Sequence, residues 1–175
     1  MIDLASRIRD VPDFPKPGIV FKDITPLLSD PKALAGAVDT LAARVEPMRP
    51  DIVLGAESRG FILGPALAIR LGVGFAIARK PGKLPWTTVT ASYALEYGED
   101  SLELHEDAIE AGMRVLVHDD LLATGGTARA TCNLAEAVGG TVVGCAFLIE
   151  LAFLGGRARL APFPVEALIS YESEG

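Results

Sequence analysis

Two adjacent carboxylates, Asp119 and Asp120, stand two residues ahead of the small, polar run Ala123-Thr124-Gly125-Gly126-Thr127. Small residues at a helix entrance let backbone N–H groups converge on an anion, and threonine hydroxyls add further donors. The run therefore reads as a phosphate cradle. The carboxylates would repel a phosphate but suit sugar hydroxyls, a divalent metal or a developing positive charge. A phosphorylated sugar satisfies both halves. A second group is basic: Arg59, Arg79, Lys80 and Lys83 gather positive charge in a chain whose net charge is −7. That contrast favours a small polyanion over a broad nucleic-acid surface, which needs clustered Lys and Arg on one face.

These groups require a scaffold. The run Val115-Leu116-Val117, ending at the two carboxylates, predicts a strand buried on both faces of a parallel sheet, and ligands bind at the carboxyl ends of such strands. Asp30-Pro31 marks a helix start, with Leu34, Val38 and Leu41 following at helical spacing. A buried strand at 52–55, a helix at 60–71 and a strand at 75–78 imply right-handed parallel crossovers. Residues 80–91, rich in Pro and Gly at their start, predict a mobile loop, and 93–97 with 102–105 bracket the hairpin signal Gly98-Glu99-Asp100. A helix at 127–138, a long strand at 141–150 and a last short strand within 163–171 complete an α/β pattern. The first nine residues alternate like a short amphipathic helix and lack a secretory apolar region, so the cytoplasm is the expected location.

At 175 residues, a single domain over 1–175 is expected. Mean hydropathy is +0.35, yet no apolar run approaches the roughly 18 residues of a membrane span. Cys132 and Cys145 stand apart without metal-ligand spacing and read as reduced packing residues. His105 and His118 also lack such spacing and receive no role.

Asp119-Asp120 through Thr127 resembles the phosphoribosyl-pyrophosphate (PRPP) signature of the type I phosphoribosyltransferase family, in the branch that acts on adenine. The likeness extends along nearly the whole chain. Phe14-Pro15-Lys16-Pro17-Gly18 through Leu28 is similar to that branch's purine-covering hood, and Gly55-Ala56-Glu57-Ser58-Arg59-Gly60-Phe61 to its pyrophosphate loop. Arg79-Lys80-Pro81-Gly82-Lys83, Tyr93 through Glu96-Tyr97-Gly98, and Leu102-Glu103-Leu104-His105 resemble its mobile arm. The resemblance implies a central, mostly parallel sheet flanked by helices, a hood at 14–28 and a β-hairpin arm at 80–105.

The resemblance also implies roles. Asp119 and Asp120 would hold the ribose hydroxyls, and residues Ala123, Thr124, Gly125, Gly126 and Thr127 the 5-phosphate. Glu57, Ser58 and Arg59 would form the pyrophosphate loop, with an unusual peptide geometry between Glu57 and Ser58. Arg79, Lys80 and Lys83 would neutralise the pyrophosphate, with Arg79 reaching a neighbouring subunit in a homodimer. Val20, Phe21 and the backbone near Lys22 would cover one face of the purine and Leu154 the other. Many relatives carry Arg where this chain has Lys22. Glu103 would transfer the proton, because Ala123 cannot supply the acidic group that 6-oxopurine relatives place in the PRPP loop. The implied reaction is Mg²⁺-dependent: adenine and PRPP give AMP and pyrophosphate, with Mg²⁺ bound through substrate and water rather than a protein cluster.

The residues by themselves leave alternatives. The two Asp fit a turn, Glu57-Ser58-Arg59-Gly60 a helix entry, and the three cations a solvated edge. A 6-oxopurine or pyrimidine enzyme would share the cradle but not the hood or arm. A PRPP-sensing regulator would add a DNA-binding module or basic face, and a non-catalytic nucleotide binder would have an inert arm.

Overall fold

The computed structural model describes residues 3–94 and 99–173. Two short strands, β1 (Arg9–Pro12) and β2 (Val20–Asp23), precede helices α1 (Thr25–Ser29) and α2 (Pro31–Val45). Then come β3 (Ile52–Ala56), α3 (Gly60–Leu71), β4 (Gly74–Ala78) and the antiparallel pair β5 (Thr88–Ala94) and β6 (Glu99–His105). The chain continues through β7 (Arg114–Leu122), α4 (Gly126–Ala137), β8 (Thr141–Leu151), α5 (Gly156–Leu160) and β9 (Val165–Tyr171).

Five strands form one parallel sheet in the order β4-β3-β7-β8-β9. Continuous apolar runs are what strands covered on both faces require, and every residue of β3 is buried. From β3 the chain proceeds to β4 on one side, and from β7 to β8 and β9 on the other. The loops diverge at this reversal and leave a crevice. β3 pairs with β7 only as far as Gly55 opposite His118, whereas β8 stays paired with β7 as far as Leu122. Asp119 and Asp120 therefore lie inside a strand that has lost one neighbour, not at its end as the sequence predicts. Continued pairing of Asp119 with Phe147 and of Leu121 with Ile149 extends the strand.

Helix α2 begins where expected, because the Asp30 carboxylate accepts from Lys32 N–H and Ala33 N–H at 2.9 and 3.1 Å. It buries Ala33, Ala37, Leu41, Ala42 and Val45, while Leu34 and Val38 are only half-buried. Helix α4 packs Ala128, Cys132, Leu134 and Ala135 against Val115, Val117, Cys145 and Phe147. This packing brings the two distant cysteines together, with Sγ atoms 3.6 Å apart as free thiols.

The amphipathic helix predicted at the amino terminus is replaced by a three-residue 3₁₀ turn, Ala5–Arg7. Ala5 and Ser6 N–H groups donate to the Asp3 carboxylate, and Arg9–Pro12 is then captured by antiparallel pairing with β2. The hood thus draws on residues before 14. The predicted loop at 80–91 is shorter, since β5 starts at Thr88. Glu96, Tyr97 and Gly98, at the predicted hairpin turn, lie outside the described residues. Strand alternation buries Leu102 and Leu104 completely in the main core and turns Glu103 to the opposite face. Among the described residues, no helix is long and apolar enough to cross a membrane.

Candidate active site

Asp120 is 1% exposed and Asp119 half-buried at the mouth of the crevice. Asp119 Oδ1 accepts the Asp120 N–H at 2.8 Å. Asp120 Oδ2 lies 3.3 Å from Arg59 Nε but accepts no aligned hydrogen bond among the described residues. Burial, then the neighbouring Asp120 charge, pushes the Asp119 carboxyl well above the usual carboxylate range. Burial raises Asp120 too, against the pull of Arg59. Two carboxyls that resist ionisation are held where a developing cation would relieve the cost of both.

Arg59 reaches this pair because α3 starts against β7. A Cβ on Gly60 would lie 2.8 Å from the His118 carbonyl oxygen, so only a bare backbone passes there. His118 itself is fully buried beneath the site, its Nδ1 2.9 Å from the Ala146 carbonyl oxygen, and burial lowers its pKa to about 4.

Beyond Leu122 the chain turns at Gly125, whose φ of 82° excludes most side chains, and α4 begins at Gly126 without a side-chain cap. Residues 121–128 line a cavity of about 160 Å³ together with Arg59 and Asp119. Its backing is a residue that sequence reasoning missed. A Cβ on Gly156 would lie 2.2 Å from the Ala123 carbonyl oxygen, and one on Gly125 would lie 2.7 Å from that of Gly156. Two backbones are pressed together there. The dipeptide Gly155-Gly156 signals a turn, but nothing in the sequence says what it touches.

The Glu57–Ser58 peptide is cis, matching the unusual geometry implied by resemblance. Glu57 accepts the Lys80 N–H at 2.7 Å and lies 3.4 Å from Arg79 Nη2 and from Lys83 Nζ. Burial works to raise the Glu57 pKa, but these donors outweigh it and hold the carboxyl below its ordinary value. Ser58 is exposed next to them. Of the three expected cations, Arg79 and Lys83 converge here, with Arg79 held on Glu57 of its own chain where the resemblance has it reach a neighbouring subunit. Lys80 instead turns its ammonium to Asp100 and the Tyr93 hydroxyl on the arm.

Glu103 joins this side of the site rather than the carboxylate pair. Its backbone exchanges hydrogen bonds with Arg79 at 2.9 and 2.7 Å, and its Oε2 accepts the Gly82 N–H at 3.0 Å.

On the hood, the Phe21 ring lies 5.4 Å from the Arg59 guanidinium and meets Phe14 edge-on at 5.2 Å. Lys22 is 3% exposed: its Nζ donates to Asp10 Oδ1 at 2.7 Å and sits 4.1 Å above the Tyr171 ring. Its side chain is spent inside the fold, leaving only backbone for a ligand. Val20 is half-buried, and Leu154 is exposed on the turn Ala152–Leu154 that follows β8.

Residues 27–160 match the model of the phosphoribosyl transferase domain family. An adenine phosphoribosyltransferase of Rubrobacter xylanophilus is 59% identical over 96% of this chain and 91% of its own. The crystal structure of adenine phosphoribosyltransferase from Thermoanaerobacter pseudethanolicus superposes with a TM-score of 0.95 at 50% identity, covering 97% of this chain and 98% of that one. The Saccharomyces cerevisiae enzyme, complexed with adenine and D-2,5-dideoxy-2,5-imino-altritol 1,6-bisphosphate, superposes at 0.91 with 39% identity over 95% and 96% of the two chains. Likeness of this extent, over nearly the full length of both partners in every pair, means that the chain belongs to the phosphoribosyltransferase family and, within it, to the adenine phosphoribosyltransferases.

Proposed function

We propose that this enzyme transfers 5-phosphoribose from PRPP to N9 of adenine, giving AMP and pyrophosphate, with Mg²⁺, as a homodimer in the cytoplasm. The observation that carries this reading is the juxtaposition of Asp119 and Asp120 with the glycine-backed cavity of residues 121–128. The cradle amides and the Thr124 and Thr127 hydroxyls receive the 5-phosphate, and the carboxylates take the ribose hydroxyls. As the anomeric bond to pyrophosphate breaks, the ribosyl centre gains positive charge and the two Asp stabilise it. Arg59, Ser58 and Lys83 with the Arg79 and Lys80 region take the departing pyrophosphate. The base is covered by Val20, Phe21 and the Lys22 backbone on one side and by Leu154 on the other. An iminosugar bisphosphate pairs a cation-forming ring with two phosphates, so the ligand of the yeast relative has the charge pattern this site is built for.

Mg²⁺ fits the donor set, because the cavity offers hard carboxylate oxygen at Asp119 and neither thiol nor imidazole. Asp119 would meet its coordinated water, and the ion would neutralise pyrophosphate charge. Closure of the arm at 80–105 excludes water from the ribosyl cation, and Glu103 then exchanges a proton with the purine ring. Dimerisation is supported by Ile77, 36% exposed on β4 two residues before Arg79, and by Ile62 and Ile69, 45% and 80% exposed on α3. The free thiols of Cys132 and Cys145 suit a reducing compartment.

The test supplies PRPP and Mg²⁺ with adenine, hypoxanthine, guanine or a pyrimidine, one at a time, and follows pyrophosphate release. AMP forms fastest, and faster turnover of a 6-oxopurine overturns the reading. Glu103→Gln lowers kcat by about 10²–10⁴ while PRPP affinity holds. If that loss appears only in Glu96→Gln, the proton relay belongs to Glu96 and not to Glu103.

A further inference from the structure

The cation cluster beside the Glu57–Ser58 loop already holds an anion, one that belongs to the protein. Glu57 Oε1 lies 3.4 Å from Arg79 Nη2 and from Lys83 Nζ. Oε2 accepts the Lys80 N–H at 2.7 Å and lies 3.4 Å from Arg79 Nε. One carboxylate therefore engages a guanidinium, an ammonium and a backbone amide, a donor set that also matches several oxygens of a diphosphate. The Glu57 side chain is 12% exposed, against 31% for Arg79 and 51% for Lys83. An anion arriving from solvent meets the cations from their open side, with the carboxylate behind them.

We propose that Glu57 is a positioning residue that stands in for pyrophosphate: it holds Arg79, Lys83 and the Lys80 amide ready in the empty site and competes with the product for them. The inference rests on the phosphoribosyl-transfer reading. Bare cations facing a product with several negative charges would bind it too tightly to release it at a useful rate. A half-buried carboxylate at their back offers an alternative partner whenever the product loosens. Glu57 also bars the cluster to weaker anions, because a monovalent competitor cannot displace three contacts at once.

Glu57→Gln isolates the charge. The amide oxygen still accepts the Lys80 N–H, but one negative charge beside the anion site disappears. Removing a like charge at a half-exposed site is worth on the order of tenfold in affinity. Titration calorimetry with magnesium pyrophosphate therefore shows binding about tenfold tighter in Glu57→Gln than in wild type. The change resides mainly in slower dissociation, read by stopped flow, while the Kd for adenine is unchanged. Adding Lys83→Ala to Glu57→Gln removes most of the gain.

A merely structural role for Glu57 predicts the opposite sign, since a disordered loop binds pyrophosphate more weakly. Glu57→Asp covers the case in which the Gln variant does not fold: its carboxylate is retracted from both cations, and pyrophosphate binding tightens by a smaller factor. Binding no tighter than wild type in the folded variants overturns the proposal. If wild-type protein does not bind pyrophosphate at all, the proposal and the reading beneath it fall together.

Discussion

Asp119→Asn is expected to make this protein more stable and nearly inactive. The asparagine carbonyl oxygen can still accept the Asp120 N–H now bonded to Asp119 Oδ1 at 2.8 Å, so shape and hydrogen bonding survive. What disappears is a negative charge next to a second carboxylate that is itself 1% exposed. On adjacent residues, two like charges repel by a few kcal/mol at an effective dielectric of about 20. Arg59, 3.3 Å from Asp120 Oδ2, offsets part of this, leaving about 1–2 kcal/mol. In a chain of this size that raises Tm by about 3–6 °C.

The pH dependence fixes the sign. Burial and Asp120 raise the folded pKa of Asp119, so its share of stability is complete below the unfolded value of about 3.9 and is lost as pH rises through the folded value. The Tm advantage of the variant is therefore widest near pH 8 and closes near pH 4. Turnover falls by about 10²–10³, the scale of losing one group that stabilises transition-state charge. Differential scanning calorimetry at the two pH values, paired with AMP formation, measures both effects. A folded variant that melts below wild type at pH 8, or that turns over at the wild-type rate, refutes the assignment.

Two further outcomes are expected. Gly156→Ala sets a Cβ 2.2 Å from the Ala123 carbonyl oxygen, so the cradle must open. PRPP affinity falls by about tenfold or more while adenine affinity holds, and calorimetry that finds both unchanged removes Gly156 from the site. His118, with its pKa lowered to about 4 by burial, refuses a proton that the unfolded chain accepts below about 6.5. Its contribution is present above that value and is lost as pH falls through the window, by about 3 kcal/mol in total. Urea midpoints should show this slope, and His118→Gln should flatten it; an identical slope in the variant excludes His118 as its source.

Local signals carried far along this chain. Helix α3 runs over the residues that its apolar pattern predicts, α2 starts at the Asp30-Pro31 cap, and α4 follows the glycine entry of the cradle. Each depends on hydrogen bonds closed within a few residues, so composition and spacing suffice. The same holds for the placing of Asp119 beside the glycine turn of 123–127, since a strand running straight into a helix entrance fixes that neighbourhood locally. Motif likeness extended that reading to the family, and comparison over nearly the full length bears it out.

Other features were decided only when distant segments met. The length of β7 followed from its pairing with β8, which the run Val115-Leu116-Val117 does not encode. Lys22 was removed from the ligand side by Asp10 and Tyr171, Glu103 was tied to Gly82, and Cys132 met Cys145. Gly156 became the back of the cradle because α5 returns against Ala123. The sequence by itself determined the order of the core elements from α2 to β8, the glycine turn before α4 and the adjacent carboxylates. Tertiary structure decided the partners of each charge and which glycines must stay bare, because both depend on distances between segments far apart in the chain, set by the order in which the strands pair.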